Sequence, residues 1–453
     1  MELLNQSIKQ LEKKSLWKVF FKFFICGILF YLILQLENTV LTFVLGRMGR
    51  EVSAAFTMAQ TLLQVVFDIG IIVGIGGSVL ISIKLGQNLK KKAEKVLGNS
   101  IILLIIISLL VLFLAFVFRD YLPFGISGHE SDVFFKYFIS RLSGITFYLL
   151  ATNLLFFIIA EGKPFKALSI SFISLVLKVI AAIIYISLNI ELLWLGILLN
   201  LVDLAIFIYI LRYFINDKTG LLQLRKEHFK IEKVSLAILS IGLLPWLLLF
   251  TRNIYDRIIF NNFSLIEHED MVTYSIVQGY IYSLFFLFIN SLNWIRPIFG
   301  YNYGKENFKR VRVLLKKLAI IFPAAVFVLL IPVFLIIKFS SPQSSLIGTV
   351  EWILKYMFVI LPLTAFTQLV FIYLQATAKK LKLLLVYLSN ILLFIIPMVL
   401  VIKYNMVINL EKVLIINSTV ASFMFIITLI VLIDEMKKMG NVLKKVDKDV
   451  NCF

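Results

Sequence analysis

The stretch KKKAEKVLGNSIILLIIISLLVLFLAFVF, residues 90–118, decides the fold. Four of its first six residues are lysines, and the 22 residues from Leu97 onward carry no charge. A helix needs about 20 apolar residues, rising about 1.5 Å each, to cross the hydrocarbon core of a bilayer. The lysines give that crossing a direction, because basic loops stay on the cytoplasmic side. The same alternation of basic hinge and apolar run extends to both ends of the chain.

Spans are expected at 18–44, 55–84, 97–118, 134–160, 167–187 and 192–212, then at 234–260, 270–297, 313–338, 348–375, 382–403 and 410–434. Lysine and arginine collect in 84–95, 163–166, 218–233, 305–317, 379–382 and the tail, and are absent from 120–133, 188–191 and 261–270. Both termini are therefore predicted cytoplasmic, and the first run reads as a retained span rather than a cleaved leader. Hydrophobic residues make up 60% of the 453 residues, and the mean hydropathy is +0.97. A net charge of +19 is assigned to orientation and to an anionic inner leaflet, not to nucleic acid. The only cysteines, Cys26 and Cys452, imply no disulfide framework. His129, His228 and His268 fall between spans without metal-ligand spacing, and no phosphate-binding glycine loop is present. The reading is of a non-enzyme with no cofactor and no metal.

The polar stretch 213–233 lies near the middle and divides the chain into expected lobes at 1–220 and 221–453. The two halves repeat. GQNLKKKAEKVL (86–97) aligns without a gap on GKENFKRVRVLL (304–315) at a shift of 218, pairing Gly86 with Gly304 and Lys91 with Lys309. The same shift pairs Gln60 with Gln278, and AEGKPFK (160–166) matches ATAKKLK (376–382) at a shift of 216. Matching elements share an orientation, so the repeat is parallel. The expected fold is an all-α membrane protein of twelve transmembrane helices, in two pseudo-symmetric six-helix lobes around a central cleft.

Ionisable residues at membrane depth are costly and default to functional candidates. They are Glu37, Asp68, Lys178, Asp203, Arg252, Asp256, Arg257, Glu351 and Lys355. Lys22, Glu161 and Arg296 lie near span ends and are expected to snorkel or cap. Arg252 and Asp256 stand one turn apart, which suits an intrahelical pair or a site. Asp68 has no evident partner. Gly70, Gly74, Gly76 and Gly77 are spaced for close helix packing.

Several of these stretches resemble the multidrug and toxic compound extrusion family. They are LGRMG (45–49), GIIVGIGGSVLISIKLG (70–86), KKKAEKVLGNS (90–100), AEGKPFKAL (160–168), RPIFGYNYGKENFKRVR (296–312) and LQATAKK (374–380) followed by FIIP (394–397). The resemblance implies a two-lobed antiporter that exports small amphipathic, often cationic, compounds in exchange for protons or sodium by alternating access. Within the same superfamily, a flippase for a lipid-linked sugar or lipid precursor is the alternative. The implied partners are membrane lipids, a small-molecule substrate and the coupling ion, and the implied setting is a monomer in a bacterial cytoplasmic membrane.

The resemblance also groups the first, fifth and sixth spans around a cation site. It thereby nominates Glu37, Asn38, Lys178 and Asp203 for the coupling ion or proton, with Gln60, Asp68, Arg252, Asp256 and Gln278 as cleft candidates. Two departures stand out. Leu41 occupies the place of the usual first-span aspartate, while Lys178 and Ala182 occupy the places of a fifth-span asparagine and aspartate. Asn38 keeps the usual type. Glu37 lies one turn before Leu41, about 6 Å along the axis. Glu37, Lys178 and Asp203 together sum to one negative charge. Such a cluster either exchanges a proton or forms a closed pair that only fixes packing.

Overall fold

The structure, a computed structural model, describes residues 11, 15–46, 49–118, 129–188, 190–216, 220–263, 283–340, 345–403 and 410–450. Among them regular structure is helical throughout, as lipid demands of a chain whose backbone polar groups must pair internally. The helices are α1 (Leu16–Gly46), α2 (Arg50–Gly86), α3 (Lys90–Val117), α4 (His129–Ser143), α5 (Ile145–Ala160), α6 (Pro164–Leu188) and α7 (Leu192–Asn216), then α8 (Lys233–Phe263), α9 (Ser283–Asn290), α10 (Arg296–Gly304), α11 (Phe308–Ser340), α12 (Ser345–Ala376), α13 (Lys380–Lys403) and α14 (Leu410–Val450). Ten of the described helices are long and apolar enough to cross a membrane, and the bent pair α4–α5 makes an eleventh. This is a multi-pass membrane protein.

Two expected spans are broken. The fourth, read as continuous over 134–160, bends by 55° between α4 and α5. The eighth ends in α9, a 3-10 turn at Ser291–Ile295, and α10, and its earlier part lies outside the described residues. The twelfth runs as helix to Val450, well past its apolar stretch.

The chain divides into two compact units, Met1–Trp246 and Leu247–Phe453. In the first unit, one apolar cluster joins α1, α2, α4, α6 and α7 through Leu41, Leu45, Phe56, Leu63, Tyr137, Ala182, Tyr185 and Leu199. Glycines of α2 serve packing as expected, with Gly76 held against the Ile238 carbonyl of α8.

The polar linker is not a loose tether. Leu221, Leu222, Leu224 and His228 are buried, and buried acceptors bind its backbone. Glu161, expected to snorkel or cap, is fully enclosed; it accepts the Leu222 N–H at 2.8 Å and the Tyr213 hydroxyl. Burial pushes the Glu161 carboxyl above the usual range, and the hydrogen bonds from Tyr213 and Leu222 and the charge of Lys163 oppose that rise. Glu94 accepts the Gln223 N–H at 3.1 Å, and the side-chain oxygen of Asn99 accepts the Glu232 N–H at 2.9 Å.

The repeat reappears in backbone hydrogen bonds. Gln87, Asn88 and Leu89 donate to Ile83, Leu85 and Lys84, while Lys305, Glu306 and Asn307 donate to Tyr301, Tyr303 and Asn302. Every partner moves by 218, and Asn88 and Glu306 both take positive φ, 58° and 61°. At the later hinge, Glu161, Gly162 and Lys163 donate to Phe157, Ile159 and Ile158, and Thr377, Ala378 and Lys379 donate to Tyr373, Gln375 and Leu374, a shift of 216. Here the chemistry diverges. Gly162 holds φ 84° freely, whereas Ala378 holds φ 50° with a Cβ that crowds its own carbonyl. We expect Ala378→Gly to stabilise the detergent-purified protein by about 1 kcal/mol, and Gly162→Ala to destabilise it by a similar amount. Apparent Tm values measured side by side check this; equal shifts of one sign would contradict it.

Candidate ion-coupling site

The break between α4 and α5 creates the site. Gly144 stands at the bend, and a Cβ there would lie 2.2 Å from Cγ of Asn200 on α7. The missing side chain lets the Asn200 amide enter the break and donate to the Ser140 carbonyl at 2.6 Å, a carbonyl the bend exposes. One turn before Asn200, Gly196 admits Ser140 in the same way. With α4 drawn onto α7, Arg141 faces Asn200 and Asp203.

Four charges then meet in the buried interior of the first unit. Lys178 Nζ on α6 lies 2.8 Å from Glu37 Oε1 on α1 and 3.3 Å from Asp203 Oδ1 on α7. Arg141 Nη1 donates to Asp203 Oδ2 at 2.9 Å and to the Asn200 side-chain oxygen. Tyr148 of α5 offers its ring face to both cations, with Arg141 Cζ and Lys178 Nζ each 5.5 Å from its centroid. Phe67 of α2 stacks on Tyr148 with centroids 3.9 Å apart. The Tyr137 hydroxyl is buried without a hydrogen-bond partner among the described residues.

The resemblance grouped Glu37, Lys178 and Asp203 but left out Arg141, which the structure adds. With it the cluster is neutral, two carboxylates against two cations, rather than singly negative. Exposure is graded: the side chains of Arg141, Lys178 and Asp203 are 3–5% exposed, and Glu37 is 18% exposed. Asn38 is exposed on α1, about 100° around the helix from Glu37, and makes none of these contacts.

Leu41 and Ala182 both sit in the apolar cluster of the first unit. Glu37 and Lys178 each stand four residues earlier on their own helices, so the polar contact lies about one turn, roughly 6 Å, toward the N-terminal ends of α1 and α6 from that apolar packing.

The cleft candidates are placed less fully. Asp68 accepts a hydrogen bond from Gln64 at 2.8 Å, one turn away on α2. Gln60 is half-buried on the same helix, and Arg252 is half-buried on α8. The Asp256 side chain and all of Gln278 lie outside the described residues, so the expected Arg252–Asp256 pair does too. Arg296, expected at a span end to snorkel or cap, is instead buried, with Nη2 2.6 Å from the Asn293 side-chain oxygen. Among the described residues no group of His, Cys, Asp and Glu side chains forms a metal site.

Residues 27–190 match the model of the MatE family. No curated protein matches the sequence. Solved structures match nearly the whole chain. A MOP superfamily transporter from Pyrococcus furiosus, with a binding pocket of reverse polarity, superposes with a TM-score of 0.82 at 16% identity, covering 95% of this chain and 98% of its own. A MATE protein in complex with MaD3S gives 0.83 at 17% identity over 94% and 98%. A multidrug resistance MATE family transporter in an outward-facing conformation gives 0.81 at 16% identity over 95% and 98%.

Removing one member of a buried ion pair strands its partner, at a cost of about 3–5 kcal/mol. Lys178→Met is therefore expected to lower stability by that order, and Glu37→Gln with Lys178→Met to recover a large part of it. A double-mutant cycle on apparent Tm measures the coupling; additive losses would show that the pair does not act as a unit.

Proposed function

We propose that this chain, with the MatE match and the fold of MATE transporters, is a secondary antiporter that exports small amphipathic, often cationic, compounds in exchange for protons by alternating access. It acts as a monomer in a bacterial cytoplasmic membrane with both termini cytoplasmic, built as lobes 1–220 and 221–453. The neutral four-charge cluster supports proton rather than sodium coupling. Lys178 and Arg141 already stand against the two carboxylates at salt-bridge distance, in the role a bound cation would fill. A sodium ion would have to displace an ammonium that two carboxylates hold.

Glu37 is the proton-exchanging group in this reading. It is the most exposed member of the cluster, and Lys178 keeps Asp203 as a partner when Glu37 is neutralised. Protonation turns a neutral cluster positive, which repels a cationic substrate, and substrate entry favours proton release by the same linkage. Gln60, Asp68, Arg252, Asp256 and Gln278 are proposed to line the substrate path. A second reading, a flippase for a lipid-linked sugar or lipid precursor, draws on two arginines of the second unit, Arg296, which is buried, and Arg252, which is half-buried. A guanidinium suits a phosphate-linked head group.

Reconstitution into liposomes separates these readings. A pH gradient is expected to drive cationic dye transport and a sodium gradient is not, and Glu37→Gln should abolish gradient-driven transport while dye binding persists. Sodium-driven transport, or full activity of Glu37→Gln, would refute the coupling assignment; dye neither bound nor moved would favour the flippase.

A further inference from the structure

A second charged site lies in the first unit, away from the buried cluster. The start of α3 and the docked linker form an open pocket of about 640 Å³. Lys90, Lys91, Lys95, Arg225 and Lys230 line it, against the three carboxylates of Glu94, Glu227 and Glu232. Five cations against three anions leave two positive charges in a concave site.

The carboxylates are already committed. Glu232 pairs with Lys95 at 3.0 Å, and Glu227 lies 3.9 Å from Arg225. Glu94 accepts a linker N–H and stands 3.7 Å from Lys90. Lys91 and Lys230 are both exposed and have no acidic partner among the described residues. The linker packs closely on α3 beside the pocket: the His228 carbonyl rests on Gly98, where a Cβ would come within 2.3 Å. His228 itself is buried, with Nδ1 accepting the Arg225 N–H at 3.2 Å. The first turn of α3 carries no acid, which adds to the positive field. A surface excess of lysine is ordinary for a cytoplasmic face. An excess gathered in a pocket of ligand size, with its acids paired and the linker backbone hydrogen-bonded to Glu94 and Asn99, is not.

We infer that this pocket binds a compact polyanion, a group carrying two or more phosphate charges. Two sources share that chemistry, a soluble polyphosphate and the head group of an anionic phospholipid. Lys91 and Lys230 supply the uncompensated charge in either case. Binding would brace the linker against α3 and so stabilise the first unit.

Thermal unfolding of the full-length purified protein tests this without reference to transport. Inorganic pyrophosphate, titrated in neutral detergent, is one arm. Nanodiscs of phosphatidylcholine with and without cardiolipin are the other. Lys91→Ala with Lys230→Ala is compared with Lys316→Ala with Lys317→Ala, which removes the same charge from exposed positions on α11. A Tm increase that saturates with pyrophosphate, and weakens about tenfold or more only in the Lys91/Lys230 variant, would assign a soluble polyphosphate. Stabilisation by cardiolipin alone, with the same dependence on Lys91 and Lys230, would assign a lipid head group. No stabilisation in either arm, or equal loss in both double variants, would overturn the proposal, because nonspecific charge would then suffice.

Discussion

Charge neutrality in a dry interior is the constraint on which the first unit depends. An unpaired ion costs several kcal/mol to bury, so each of Glu37, Arg141, Lys178 and Asp203 has to find its partner before α1, α4, α6 and α7 can close. Their pairing distances, 2.8 to 3.3 Å, leave little slack. The bend at Gly144 and the small residue at Gly196 exist in this light to bring Arg141 to Asp203. The aromatic face of Tyr148 lines both cations and that of Phe67 lines Arg141.

The same constraint bears on Leu41 and Ala182, one turn along α1 and α6 from the ion pair. An aspartate at 41 facing an apolar cluster would need a cation, and an aspartate at 182 would need another. Leu41 and Ala182 need none, and both pack in the apolar cluster of the first unit. Glu37 and Lys178 stand one turn earlier on both helices. Shifting only one of the two by a turn would leave a charge stranded about 6 Å from its partner.

Much of this was legible in the sequence. The apolar runs and basic hinges placed most spans, because length and charge are what the bilayer selects. The 218 and 216 shifts anticipated hinge hydrogen bonds that coincide partner by partner. What failed to show was anything that depends on a bend. Arg141 lies well inside an apolar run, three residues before Gly144, and that pairing was the available signal. A span read as one straight helix gives no reason to point Arg141 at α7. Glu161 does stand at the C-cap of α5, as its place near a span end suggested, but its burial was not legible: the linker folds back over it and supplies a backbone donor. The C-terminal unit reads less completely, since Asp256 and Gln278 fall outside what the structure describes.

The central proposal is that the Lys178 ammonium, held between Glu37 and Asp203, takes the place of a mobile cation. Thermal unfolding in sodium chloride against choline chloride, at matched ionic strength, addresses it most directly. The wild-type protein should be indifferent to the exchange, and Lys178→Met should be stabilised saturably by sodium as the ion enters the position the ammonium vacates. Saturable sodium stabilisation of the wild-type protein would contradict the claim.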